Sequence, residues 1–318
     1  MGPFLLRRLV TFIATLAVAS VVVFAVLELL PGNAAQVILG DSATPESLAA
    51  MEAQLGLDRP ALARYAQWLG GWLGGETATS LSYGVPTAEL IAQRLQVTLP
   101  LALIAMLITA VVALVLGVYA ASRHNRLGDV GVMAASQMGI AIPNFWFAIL
   151  LILLFAVHLQ WVDAGGFPGW HADDGGGFWL GLRALVLPAI ALAVVQAAIL
   201  ARVTRSAVLD VLLEDFVRTA RAKGLTQGQA LRRHVLRNAM IPVLTVGGLQ
   251  FANLITGTIV VESVFVLPGI GRLVFQAIAN RDLVVVRDVV MLLAALVIVV
   301  NFVVDLLVAW IDPRLRTN

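Results

Sequence analysis

Catalysis needs a few reactive side chains at fixed spacing, and this 318-residue chain is poor in them. It has a single lysine, Lys223, no cysteine and four histidines. In a Walker A loop the lysine reaches the nucleotide phosphates and the next residue, Ser or Thr, ligates magnesium. Lys223 is followed by Gly224 and Leu225, so it opens no phosphate loop. Any ATP that drives this protein is bound by another subunit. The lack of cysteine excludes a disulfide framework, a thiolate metal site and a thiol nucleophile. His124, His158, His171 and His234 fall in separate segments without ligand spacing, so no metal site is expected. There is no Gly-x-Ser-x-Gly and no His-Glu-x-x-His, and the Gly-Ile-Gly at 269–271 is too short to cradle phosphate. No catalytic residue is assigned, and no cofactor is expected in the chain itself.

The polar residues that remain sit in an apolar background. Hydrophobic residues make up 60% of the chain and charged ones 13%, with a mean hydropathy of +0.93. A soluble fold could not cover so much apolar surface, and the natural solvent is a bilayer. Six stretches reach the roughly 20 residues that a spanning helix needs. They run 9–27, 97–121, 130–157, 184–201, 239–261 and 289–311. The third contains Pro143 and the fifth Pro242, which neighbouring helices can accommodate. The first follows Arg7 and Arg8 like a secretory signal, but its apolar core is long and no small-x-small cleavage site follows. It reads as a retained helix. A charge inside a span is a functional candidate by default. Asp305 is such a charge, and pairing with a neighbouring helix is the reading expected for it. Gln137, Asn144, Gln196, Gln250, Asn253 and Asn301 are the span residues that could line a polar path or bond between helices.

Six spans put both termini on one side, and Lys/Arg placement says which. With the N-terminus inside, the inner segments hold fourteen: Arg7, Arg8, Arg123, Arg126, eight between 202 and 238, Arg314 and Arg316. The longer outer segments hold seven: Arg59, Arg64, Arg94, Arg183, Arg272, Arg281 and Arg287. The expected topology is N-in, C-in. The chain then divides into a first transmembrane helix (1–30), an extracytoplasmic subdomain (31–95) and a transmembrane core (96–312) with a cytoplasmic loop at 203–238. In the subdomain, Thr44, Pro45 and Gly56 frame a short helix. The glycine- and tryptophan-rich stretch from Trp161 to Trp179 reads as an irregular outer loop.

The cytoplasmic loop is the shaped element. "SAVLDVLLEDFVRTARAKG" spaces Leu209, Leu212, Leu213, Phe216 and Ala220 along one helical face. Acids precede bases, as the helix dipole favours, with Glu214 and Arg218 as an expected i, i+4 pair. Gly224 is the expected stop, and Thr226 with Gln229 the capping box of the next helix. Positive-inside topology explains the basic residues but not a dedicated helix with a glycine break. A helix in the headgroup plane and a docking site for a partner are the alternatives.

"FVRTARAKGLTQGQALRRHVLRNAMIPVLT" resembles the EAA loop of ABC importer membrane subunits, in the form used by the dipeptide/oligopeptide/nickel permease family. Ala220 and Gly224 match the general form of the motif, and "RTARAKG" matches this family's variant. "LLPGNAAQ", "LGLDRPALARYAQWL", "VVESVFVLPGIGRL" and "NFVVDLLVAWIDPRLR" are similar to further family segments in the same order. "GGETATSLSYG" departs from the family's Gly-Asp-x-Gly-x-Ser, which puts that loop's contacts in question.

The resemblance implies an all-α polytopic membrane protein of the type I ABC importer transmembrane fold. It implies a bacterial inner-membrane permease with four kinds of partner. These are a second permease subunit, two ATPase subunits that bind ATP and magnesium, an extracytoplasmic substrate-binding protein and the bilayer; nucleic acid is not among them. It also implies that Asp215, Phe216, Arg218, Thr219, Ala220, Arg221, Ala222, Lys223 and Gly224 form a coupling helix that docks on an ATPase. Solutes carried by relatives include short peptides, glutathione, nickel chelates and sugar conjugates. The rival is an ion-coupled secondary transporter or another polytopic membrane protein without an ATPase partner. Such a transporter would usually show inverted repeats and has no need of a coupling loop.

Overall fold

The structure is a computed structural model that describes residues 2–29, 34–39 and 43–311. Parts of the "LLPGNAAQ" segment, the Asp-Pro-Arg, Arg314 and Arg316 lie outside the described residues. Helices carry nearly all of the described chain. Its one extended pairing is an isolated bridge between Thr79 and Pro86. Five helical runs are long and apolar enough to cross a bilayer. They are α1 (Gly2–Glu28), α5 (Thr87–Ser122), α8 (Phe178–Leu212), a run beginning with α10 (Gln227–Ala230), and α13 (Leu283–Ile311). α10 passes through a π-helical turn, Leu231–Val235, into α11 (Leu236–Val264). Pro100, Pro188 and Pro242 lie inside these runs without ending them.

The third expected span is not one helix. It consists of α6 (Leu127–Ala141) and α7 (Asn144–Leu151), the latter continued by a π-helical stretch to His158. The two arms are bent by 100°. The cause is local. Pro143 has no N–H, and its ring pushes the preceding residue out of the helical region. Ile142 is accordingly extended, at φ −86° and ψ 122°.

The subdomain contributes α2 (Ala34–Leu39), α3 (Pro45–Leu55) and α4 (Ala61–Gly74). Thr44 caps α3 as expected, accepting from the Ser47 amide at 3.2 Å, and Gly56 follows at φ 68°. α5 starts at Thr87, so the expected boundary between 95 and 96 falls inside a helix.

α5 and α8 form the centre of the bundle. At Gly117 a Cβ would collide with the Thr204 side chain and the Ala201 carbonyl, so the missing side chain lets the two backbones close. Around this seam Leu101, Leu185, Leu192, Leu254 and Phe265 are fully buried.

One end of the bundle is tied by buried carboxylates. Glu262, near the end of α11, has no exposed surface. Thr98 Oγ1 donates to its Oε1 at 2.6 Å, and the Gly271 amide to its Oε2 at 2.7 Å. Thr98 in turn accepts from the Ile270 amide at 2.8 Å. These amides open α12 (Ile270–Ala279), where the helix dipole favours a negative group. A Cβ at Gly269 would sit on the Glu262 carboxylate, and one at Gly271 would strike Ile259. The glycines that are too few for a phosphate loop thus make room for a carboxylate of the chain's own.

Two aspartates of the α12–α13 turn and α13 hold the subdomain. Ser80 Oγ donates to Asp282 Oδ2 at 2.6 Å and the Ser82 amide at 3.0 Å. Trp68 Nε1 donates to Asp288 Oδ1 at 2.7 Å, and Thr87 donates to Oδ2. The divergent "GGETATSLSYG" loop therefore keeps a role, through Ser80, Ser82 and Thr77, which accepts from the Ala88 amide at 2.8 Å.

Replacing Glu262 by Ala leaves Thr98 and the Gly271 amide without an acceptor. A buried donor left unmade costs about 1–3 kcal/mol. Glu262→Ala should lower the melting temperature of the detergent-solubilised protein, while Leu103→Ala, on an exposed apolar surface of α5, should not. Equal melting of the two variants would contradict the clamp.

Candidate functional site

The opposite end carries the basic loop, and its helices differ from the expected ones. α8 does not run on to Gly224. It ends at Leu212, and the chain turns through Leu213 and an extended Glu214 before α9 (Asp215–Ala222) begins. The expected Glu214–Arg218 side-chain pair is not formed. Glu214 is the residue before the helix, outside its i, i+4 register, and Arg218 instead reaches Asp215 Oδ1 at 3.3 Å. That pair is almost fully in solvent and contributes little. The apolar stripe drawn through Leu213 and Phe216 is broken too: Leu213 is 69% exposed and Phe216 44%.

The residue that fixes α9 is one the stripe omitted. Val217 is buried against Leu200, Val208 and Val235 of α8 and the α10–α11 run. Its neighbours Asp215, Phe216, Arg218, Thr219, Arg221, Ala222, Lys223 and Gly224 lie on the surface, and Ala220 is half-buried. α9 is thus held by one face and offers the others. Its end is closed by two hydrogen bonds, Gly224 N to Arg221 O at 3.0 Å and Leu225 N to Ala220 O at 3.3 Å. This pattern requires a left-handed residue, and Gly224 has φ 98°. Thr226 then opens α10 as expected: it accepts from the Gln229 amide at 3.3 Å, while Gln229 Oε1 accepts from the Thr226 amide at 2.9 Å.

Two ion pairs brace this end. Arg205 Nε donates to Asp129 Oδ1 at 2.5 Å, with His124 Nδ1 3.4 Å from the same carboxylate, joining α8 to the start of α6. Arg8 reaches Asp305 Oδ2 at 2.6 Å, which gives the span aspartate the interhelical partner expected of it. Both groups are about two-fifths exposed, at 43% and 41%, so the pair ties α1 to α13 without much energy.

The six polar span residues have different surroundings. Gln196 on α8 and Gln250 on α11 are buried, and Gln196 Oε1 has no hydrogen-bond partner. Asn253 donates to Gln250 Oε1 at 3.4 Å within the same helix. Gln137 on α6 and Asn253 are exposed, and Asn144 and Asn301 are half-buried. No group of three or more His, Asp or Glu side chains among the described residues could hold a metal.

With this geometry in view, the comparisons with known proteins are direct. The model of the binding-protein-dependent transport system inner membrane component family matches residues 113–317, which include the whole basic loop. A companion model for the N-terminal part of such membrane components matches residues 1–102. The chain belongs to this family. It is a permease subunit of an ABC importer and a multi-pass membrane protein. A putative peptide transport system permease protein of Brucella abortus is 40% identical over 316 residues, 99% of each chain. The di/tripeptide transport system permease protein DppB of Pseudomonas aeruginosa is 39% identical, and the dipeptide transport system permease protein DppB of Escherichia coli is 35% identical. Each match covers 99% of both chains. The fold resembles the inward-facing MetNI methionine ABC transporter, with a TM-score of 0.58 at 19% identity. That match covers 70% of this chain and 96% of the MetNI chain.

Within a family permease of this shape, Val217 and Phe216 should separate cleanly. Val217→Ala removes buried methyl groups worth about 0.8 kcal/mol each. It should loosen α9, seen as faster amide exchange over residues 215–224. Phe216→Ala should leave that exchange unchanged. Equal protection in Val217→Ala would remove the anchor.

Proposed function

We propose that the chain forms half of a translocation path for short peptides or a related small solute in a bacterial inner membrane, beside a second permease subunit. ATP is bound and hydrolysed by two partner ATPase subunits, and an extracytoplasmic binding protein delivers the solute. The printed names of the full-length relatives support the peptide class. The excess of arginine on the α9 side supports an N-in, C-in orientation.

The observation that carries the coupling reading is the attachment of α9. Asp215, Phe216, Arg218, Thr219, Arg221 and Lys223 are offered to solvent while Val217 fixes the helix to α8 and α11. Phe216 supplies an apolar contact for an ATPase groove. Arg218, Arg221 and Lys223 supply a basic rim, and Ala220 and Ala222 keep the helix slim. Gly224 holds the turn by which α9 leads into α10, and so into α11. A displacement of α9 by a closing ATPase pair would be carried as a rigid-body motion into two central helices. Gln137, Asn144, Gln196, Gln250, Asn253 and Asn301 are the candidates for the path, with Gln196 favoured by its unpaired carbonyl oxygen.

Phe216→Asp puts a charge into the proposed contact. Gly224→Pro forces φ to about −65° where 98° is needed. In the reconstituted importer both should uncouple ATP hydrolysis from uptake, with uptake falling at least about tenfold for a contact loss near 1.4 kcal/mol. Hydrolysis that stays coupled to uptake in both variants would defeat the docking role.

A further inference from the structure

Beside α9 the same end of the bundle holds a cavity that the coupling helix does not use. Its volume is about 330 Å³, and Ser122, Arg123, Arg126, Leu212, Gln227 and Leu231 line it. It lies where the turn from α5 to α6 meets the end of α8 and the start of α10. No acidic side chain lines it. The nearest acid in sequence, Asp129, is already taken by Arg205 and His124. Arg123 and Arg126 are both exposed and form no ion pair among the described residues. Two uncompensated guanidinium groups on one concave surface repel each other, and an oxyanion between them relieves this. Their planar forks match phosphate oxygens, and the Ser122 hydroxyl adds a donor.

The depth of the cavity identifies the source of that phosphate. The apolar stretch of α5 ends at Ala121, immediately before Ser122. Tyr119 is half-exposed one turn earlier, as aromatic residues are at a headgroup boundary. Leu127, next to Arg126, is 90% exposed, and the similarly bare Leu213 follows Leu212. Large apolar side chains left open beside cations suit an interface with lipid, not a contact with a purely acidic protein segment. Leu212 and Leu231 give the cavity an apolar wall for glycerol and the first acyl carbons. Basic pockets between helices at the cytoplasmic boundary are the usual setting for anionic headgroups.

We propose that this cavity binds the phosphate of an anionic phospholipid headgroup. The bound lipid connects the α5–α6 turn to the segment that leads from α9 into α11, so leaflet charge bears on the coupling region. The site stands without the ATPase-docking reading, because its residues and its test involve no ATPase.

The test uses the full chain in detergent, examined by native mass spectrometry with added phosphatidylglycerol or phosphatidylcholine. Phosphatidylglycerol should be retained in preference to phosphatidylcholine. Arg123→Gln and Arg126→Gln should each weaken phosphatidylglycerol retention about fivefold, as one cation near an anionic surface does. The double variant should show no preference, and Arg237→Gln, which removes an exposed cation outside the cavity, should behave as the parent. Both arginines are free surface side chains, so the variants should melt with the parent; if the double variant fails to purify, the single ones decide. Equal retention of the two lipids overturns the proposal, as does a preference that survives the double substitution. Arginine-dependent binding of inorganic phosphate without any lipid preference overturns it in favour of a soluble anion. An arginine effect seen only on copurification of the ATPase overturns it in favour of a protein contact.

Discussion

A carboxylate removed from water must have its oxygens bonded or it destabilises the fold that buries it. Glu262 meets that demand with groups from three places at once: Thr98 on α5, the Gly271 amide of α12 and, through Thr98, the Ile270 amide. The position of α12 relative to α5 and α11 follows from it. Gly269 and Gly271 must lack side chains because the carboxylate and the α11 backbone occupy that space. Asp282 and Asp288 extend the same logic to the subdomain, using Ser80, Ser82, Trp68 and Thr87 as donors. One end of the permease is therefore held by directional bonds between segments far apart in sequence.

The other end is held differently. Leu200, Val208, Val217, Val235 and Val243 pack without directional bonds, and Asp129–Arg205 is the one buried carboxylate pairing among the ion pairs there. Apolar packing tolerates small sliding of one helix on another more readily than a satisfied carboxylate tolerates loss of a donor. A bundle fixed at one end and packed by apolar faces at the other suits a subunit whose helices move as bodies.

Much of this was legible in the sequence, for a physical reason in each case. Span lengths follow from bilayer thickness, and the Thr226–Gln229 and Thr44 caps follow from the need to satisfy free amides at helix starts. The angle at Pro143 was not legible, because composition shows a proline but not whether neighbours keep its helix straight or let it turn by 100°. Pro100, Pro188 and Pro242 are prolines of the same kind that leave their helices running. Val217 was missed because the periodicity was carried through Leu213 as if the helix were continuous. The partners of Glu262 and Asp288 lie more than 160 residues away. No local pattern specifies such pairings.

The break at Leu213–Glu214 bears most on mechanism. Had α8 continued to Ala222, the coupling residues would have projected along its own axis as the last turns of a long rod. With the break, α9 takes its own direction and packs sideways through Val217 onto α8 and the α10–α11 run together. A force on α9 is then shared between two central helices, not passed into one. The Gly224 turn and the Thr226 cap keep the connection to α10 short and fully hydrogen-bonded, so little of that displacement is lost in slack. The charged stretch of this oily chain is best understood as a separate rigid piece, fastened at one buried valine and leading into the membrane through a single glycine.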